Sequence, residues 1–147
     1  MSYLELEQIS FSYEAGEDPA LRGLSLQVER GGSLLVVGDN GSGKTTLFRI
    51  LNGLAFPQQG KYFFDGDEIT RKRMRDNVFS KKFHKKLGYL FQNPDVMLFN
   101  ATVYDEIAFG PRQMGIGDQE VERRVQDCLE LFSLRDLQGK APYHLSV

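Results

Sequence analysis

The residues best suited to chemistry stand in one run, Gly38-Asp39-Asn40-Gly41-Ser42-Gly43-Lys44-Thr45, followed by Thr46. Three glycines, an ammonium group and paired hydroxyls at the spacing G-x-x-x-x-G-K-[ST] are what a polyphosphate grip requires. Gly38, Gly41 and Gly43 reach backbone conformations closed to other residues, so successive N–H groups of the loop, Asn40 and Ser42 included, turn inward as a nest for a β-phosphate. Lys44 supplies a flexible point charge for the β- and γ-phosphates, the Thr45 hydroxyl is placed to ligate Mg²⁺, and Thr46 to approach the α-phosphate. The competing account is a glycine turn capped by a surface lysine. Four fixed positions coincide by chance in about one window in some tens of thousands at ordinary composition.

Such a loop works only between a strand and a helix, and the flanks read that way. Ser33-Leu34-Leu35-Val36-Val37 is a short apolar run, as a buried strand would be, and Thr46 to Leu51 reads as a helix packing Leu47, Ile50 and Leu51 inward. The helix aims its positive end at the same phosphates. Leu4 to Ile9 and Leu24 to Glu29 alternate apolar and polar residues, as half-exposed strands do, and Gly60 to Ile69 reads as a strand turning through Asp65-Gly66. These outer strands predict an antiparallel layer beside the nucleotide core. Leu87-Gly88-Tyr89-Leu90-Phe91 predicts a second buried strand. Asp118 to Phe132 predicts an amphipathic helix, N-capped by Asp118, with Val121, Val125, Cys128, Leu129 and Phe132 in one stripe.

Composition sets bounds. The 147 residues carry a formal net charge of −2, which argues neither for nor against nucleic acid, and one cysteine, Cys128, which fits helix packing in a reducing compartment. The acidic start lacks the layout of a secretory signal, and no apolar run approaches membrane-spanning length, so a cytosolic chain is expected. The stretch Arg71 to Lys86 has eight cationic residues against Asp76 alone. It reads either as a solvated helix face or as a surface for nucleic acid or anionic headgroups. Phe79 and Phe83, four apart, read as one buried helix face rather than a base-stacking pair. His84 and His144 have no partners at metal-ligand spacing.

Two more features surround the loop. Tyr13 ends the strand-like segment Ile9-Ser10-Phe11-Ser12-Tyr13, and Gln92 follows the second predicted strand in Phe91-Gln92-Asn93-Pro94-Asp95. With the phosphate loop, they make the chain resemble an ABC-type ATPase subunit. The resemblance implies an α/β P-loop NTPase fold, here its N-terminal part: residues 1–92 as antiparallel β layer plus P-loop core, and 93–147 as part of the helical subdomain. It further implies that Tyr13 stacks on the adenine of ATP. Gln92 then reaches the Mg²⁺ and γ-phosphate, coupling them to a transport partner. Alone, each residue also suits a plain packing or turn role.

The run from Asn93 to Pro111 resembles the energy-coupling-factor branch, whose members drive uptake of cobalt, nickel or vitamins, and the likeness covers the whole chain. It implies a membrane-embedded partner subunit, a second ATP-binding subunit in a homo- or heterodimer, no nucleic acid, and a cytoplasmic place on the inner face of the cell membrane. Met97, Leu98, Phe99 and Phe109 would line a groove for a coupling helix of that partner or pack under the loop. Pro142-Tyr143-His144-Leu145-Ser146 matches the approach to the family's signature, which Val147 does not continue. The family's metal-holding acidic strand, catalytic glutamate and switch histidine have no counterpart in this sequence, so binding of ATP without competent turnover is expected, together with open sheet edges beside the P-loop strand. A functionally silent nucleotide-binding remnant and a basic nucleic-acid-binding module are the alternatives.

Overall fold

The computed structural model describes residues 2–14, 16 and 18–145, His144 by its backbone alone. They form two compact units, residues 1–87 and 88–147. The first is built on four antiparallel strands, β1 (Leu4–Phe11), β2 (Leu21–Val28), β3 (Gln59–Phe64) and β4 (Asp67–Glu68), in the order β2-β1-β3-β4. In β1, Leu6 and Ile9 are both buried although three residues apart, which strict alternation forbids. The pairing of β1 shifts between Leu6 and Ile9 against β2 and between Glu7 and Ser10 against β3, and Gln8 has φ +49°. This bulge resets the phase so that Leu6, Ile9 and Phe11 share one face. Opposite it, a Cβ on Gly60 would lie 2.2 Å from the Glu7 carbonyl oxygen, so only glycine fits there.

Helix α1 (Lys44–Leu51) lays Leu47 and Ile50 on that face, completing a core with Leu6, Ile9, Phe11, Tyr62 and Phe64. Each such side chain removed from water contributes about 1.5–3 kcal/mol. The buried Tyr62 hydroxyl donates to the Leu51 carbonyl at 2.8 Å and ties the end of α1 to the sheet. Two short helices follow, α2 (Arg71–Met74), capped by Thr70, and α3 (Asn77–His84), capped by Asp76. Phe83 is buried edge-on to Phe64 and Phe79 packs half-buried against the same core, as the buried-face reading expects. Part of the cationic stretch is neutralised locally: Arg73 pairs with Asp67, and Lys86 and Arg30 pair with Asp65.

The second unit pairs α4 (Val103–Gln113) with α5 (Asp118–Leu131) around Val103, Ala108, Val121, Val125 and Leu129. Thr102 caps α4, its hydroxyl accepting from the Asp105 N–H at 3.0 Å. Gly117, not Asp118, occupies the cap of α5; Asp118 is the first helical residue, where its charge still favours the positive end. Cys128 is half-buried and Phe132, which stands at the cap just past α5, is exposed, so the buried stripe is narrower than expected.

The two strands expected to flank the phosphate and glutamine loops do not form. Residues 33–37 and 87–91 are irregular, and Leu35 and Leu90 are 84% and 81% exposed. Both have the apolar composition of buried strands. A strand exists through its ladder, however, and no described segment offers either one a hydrogen-bonded neighbour.

Candidate functional site

The glycine loop enters α1 as the flanking pattern predicts. Gly43 is the cap residue of α1 at φ +91°, and Gly41 has φ +84°. A Cβ on Gly43 would sit 2.4 Å from the Ala20 carbonyl oxygen, so the loop presses directly on the chain entering β2. Thr70, Asp76 and Thr102 cap α2, α3 and α4 with side chains, whereas no side chain caps α1 and no acidic residue stands in its first turn. The N–H groups of Lys44, Thr45 and Thr46 therefore have no partner within the helix and leave a positive end suited to an anion.

The Lys44 ammonium lies folded over the loop. It donates to the carbonyl oxygens of Gly38 and Asp39, both at 2.6 Å, with Ser42 Oγ at 3.4 Å. The cation is thus held where the loop closes, and neutral carbonyls rather than a carboxylate balance it, so an arriving anion competes for it on favourable terms. Thr45 is exposed in the first turn of α1, Asn40 is exposed at the loop's tip, and Thr46 is buried.

Tyr13 belongs to the same corner. Its ring is 55% exposed, stands edge-on to Phe11 with centroids 5.0 Å apart, and its oxygen lies 3.0 Å from Thr46 Oγ1. The segment carrying it is held by a residue that sequence patterns do not single out. The Gln58 side chain accepts from the Ser12 N–H at 3.0 Å and donates to the Ser12 carbonyl at 2.6 Å, standing in for one more residue of a paired strand. Arg49, on α1, reaches the Tyr13 oxygen at 3.3 Å. Neither Gln58 nor Arg49 belongs to a motif, and only the fold brings them to Tyr13. An open hollow of about 360 Å³ adjoins, lined by Phe11, Tyr13, Glu14, Pro19, Arg22 and Gln58 among others.

Gln92 lies in the second unit, exposed, in the bend before a short 3-10 turn at Asp95–Met97. In that unit Phe99 and Phe109 meet edge-on at 4.8 Å and both remain exposed. Leu98, Val103, Ile107, Leu134, Pro142 and Leu145 line an open apolar hollow of about 290 Å³. Leu98 thus lines that hollow, and Met97 is exposed. Ser146, Val147 and the His144 side chain, where the signature approach falls, lie outside the described residues. No described helix is long and apolar enough to cross a membrane, and the described residues hold no cluster of metal ligands of the His, Cys, Asp and Glu kind.

Known proteins resemble the chain over nearly all of its length. The family model for ABC transporters matches residues 21–147. The energy-coupling factor transporter ATP-binding protein EcfA of Methanothermobacter thermautotrophicus is 43% identical over 97% of the chain and 44% of its own length. The nickel import ATP-binding protein LarO of Lactiplantibacillus plantarum is 41% identical over 96% of the chain and 58% of its own length. Among solved structures, cbiO1 of Clostridium perfringens, part of the ABC transporter complex cbiONQ, superposes with a TM-score of 0.82 at 31% identity, over 99% of the chain and 56% of its own. The chain spans about half the length of the curated relatives it matches.

Proposed function

The chain belongs to the ABC transporter family, with the α/β fold of its ATPase domains, and from that premise we propose that it is the ATP-binding subunit of an energy-coupling-factor type importer for cobalt, nickel or a vitamin. The observation that carries the reading is the uncapped first turn of α1 beneath a loop whose lysine is bound by neutral oxygens, two carbonyls and the Ser42 hydroxyl. Supporting it, the cation and the uncapped N–H groups stand together without a competing carboxylate in that turn.

In this proposal the loop amides from Asn40 to Gly43 and the first turn of α1 surround the β-phosphate, and Lys44 leaves the Gly38 and Asp39 carbonyls for phosphate oxygens. Thr45 would hold the magnesium ion, which when bound neutralises the developing charge on the terminal phosphates, and for Gln92 a part at the same ion is carried over from the family resemblance alone. Thr46 serves the α-phosphate and the exposed Tyr13 ring the adenine. The apolar hollow beside Leu98 and the exposed Phe99 and Phe109 would receive the membrane-embedded partner, and a second ATP-binding subunit would complete the site for hydrolysis. Lys44, Thr45 and Gln92 grip and orient without supplying a base, so these residues alone bind rather than turn over ATP. The name of EcfA supports the energy-coupling-factor reading, and that of LarO supports import with nickel among the cargoes.

Titration calorimetry with magnesium and ATP tests it. Micromolar-range binding is expected from the chain, with loss of all measurable heat in Lys44→Ala. No heat from compact wild-type protein at millimolar ATP would falsify the reading. Salt-sensitive retention on RNA or DNA, reduced by neutralising Lys81, Lys82, Lys85 and Lys86, would instead favour a basic nucleic-acid module.

A further inference from the structure

We propose that Arg49, Tyr13 and Thr46 form a one-way hydrogen-bond relay that turns the Thr46 hydroxyl proton toward the anion bound by the loop, so that the Tyr13 oxygen serves the phosphate end of the site. The inference rests on the nucleotide-grip reading and deepens it, because it gives Tyr13 a task separate from anything its ring does and gives Arg49 a positioning role.

The chain of contacts is short. Arg49 Nη1 lies 3.3 Å from Tyr13 Oη, and Tyr13 Oη lies 3.0 Å from Thr46 Oγ1. A guanidinium has only donors, whereas each hydroxyl can both give and accept. Geometry alone leaves the sense of the Tyr13–Thr46 bond open, and Arg49 biases it by occupying one lone pair of the phenol oxygen. The phenol oxygen accepts from Arg49, so its own hydrogen goes to Thr46 Oγ1. Thr46, having accepted, keeps its hydroxyl hydrogen to give.

That hydrogen is offered in the first turn of α1, where the N–H groups of Lys44, Thr45 and Thr46 lack a side-chain cap. The opposite polarity fails on two counts. Thr46 donating to Tyr13 would crowd two donors onto the phenol oxygen and leave its own hydrogen to solvent, and would leave threonine lone pairs facing an anion. Successive donors in one direction also polarise one another, which strengthens the last of them. Thr46 is 5% exposed, so water is a poor substitute for the Tyr13 oxygen as its partner. Arg49 itself is exposed, at the flank of the site rather than in the loop, and acts here through Tyr13.

A ligand without a base separates this role from stacking. Binding of magnesium tripolyphosphate and of Mg·ATP is measured by calorimetry on the full chain and on Tyr13→Phe, Arg49→Met, Arg49→Lys and the Tyr13→Phe, Arg49→Met pair. Tyr13→Phe keeps the ring and is expected to weaken tripolyphosphate binding about three- to tenfold, the worth of one hydrogen bond to a charged group. Arg49→Met should lose a similar factor, Arg49→Lys, which retains a cationic donor, should fall between it and wild type, and the pair should bind no worse than Tyr13→Phe alone. Unchanged tripolyphosphate affinity in Tyr13→Phe overturns the relay, and so does an additive pair, which would make Arg49 a direct charge on the ligand. Should Tyr13→Phe melt differently from wild type, the graded Arg49 variants decide alone, since general loosening would not rank lysine above methionine. Wild-type chain that takes up neither ligand defeats the grip, and the relay with it; uptake retained in Tyr13→Phe defeats the relay only.

Discussion

Gly43 and Ala20 are in contact across the mouth of the loop: a methyl group on Gly43 would lie 2.4 Å from the Ala20 carbonyl oxygen and 3.0 Å from a methyl of Leu21. Twenty-three residues apart in sequence, the two set how deeply the loop seats against the start of β2. Gly43 also holds φ +91°, which any L side chain resists.

Gly43→Ala should therefore do more than its size suggests. Backbone must move, and the moved backbone is the cap of the phosphate-binding helix. The expected cost is about 2–3 kcal/mol of stability with loss of nucleotide binding. Gly41→Ala is the control. It meets the same kind of strain at φ +84° but open space around its Cβ, so about 1 kcal/mol and partial binding are expected. Equal effects of the two in urea unfolding and calorimetry would show that the Ala20 contact is unimportant.

The anchor at the other end of α1 predicts a pH dependence. Burial, with a smaller contribution from Tyr3, pushes the Tyr62 phenol well above its ordinary range. The fold thus favours the protonated form, whose stabilisation is complete below the unfolded value near 10 and is lost as pH rises beyond it. Tyr62→Phe should cost about 1–2 kcal/mol at neutral pH, because the Leu51 carbonyl loses its donor. It should also flatten the alkaline limb of the stability curve above pH about 10. A variant as alkali-sensitive as wild type would mean that another group governs that limb.

What could be read in advance, and what could not, divides along a physical line. The glycine loop, α1, the outer strands and α5 are specified by short-range chemistry, and they stand where the pattern puts them. The segments at 33–37 and 87–91 have equally good local chemistry, yet a strand needs a neighbour, which a run of Leu and Val cannot supply for itself. The bulge at Gln8 leaves little trace in the pattern, because Leu4 to Ile9 alternates until Ile9 falls out of phase. Gln58 and Arg49 were invisible for a different reason. Their importance lies in where the backbone carries them, at Ser12 and Tyr13, and no spacing announces that.

In the second unit one carboxylate fixes the loop before α4. Glu106 Oε2 accepts from the Asn100 N–H at 2.9 Å, the Asn100 side chain at 3.0 Å and the Phe99 N–H at 3.2 Å. Three donors converge on one oxygen, so removing it leaves all three to find water. Glu106→Ala should destabilise by about 1–3 kcal/mol, and Glu106→Gln, which keeps an acceptor without the charge, by about half as much. Hydrogen exchange should quicken at Phe99 and Asn100 in the alanine variant. Unaltered exchange there would assign the loop's shape to the Phe99–Phe109 contact instead.

The exposed run before the phosphate loop predicts how the chain behaves in solution. Leu34, Leu35 and Val37 are 50%, 84% and 78% exposed on a segment whose backbone pairs with no described strand. Exposed apolar side chains on a backbone outside the described sheet make a template for another copy of the same segment. The chain is therefore expected to self-associate at micromolar concentration, with a weight-average mass in sedimentation that rises with concentration and falls on dilution. Charge is the natural antidote, since it opposes edge pairing without touching the core that Leu47 and Ile50 build from the other side of the loop. Leu35→Lys with Val37→Lys should shift the population to monomer while leaving the melting temperature within a few degrees, because neither side chain is buried. A wild-type chain that sediments as a monomer across that range would show that this edge is silent, and that Ser33 to Val37 finds cover within its own molecule in solution.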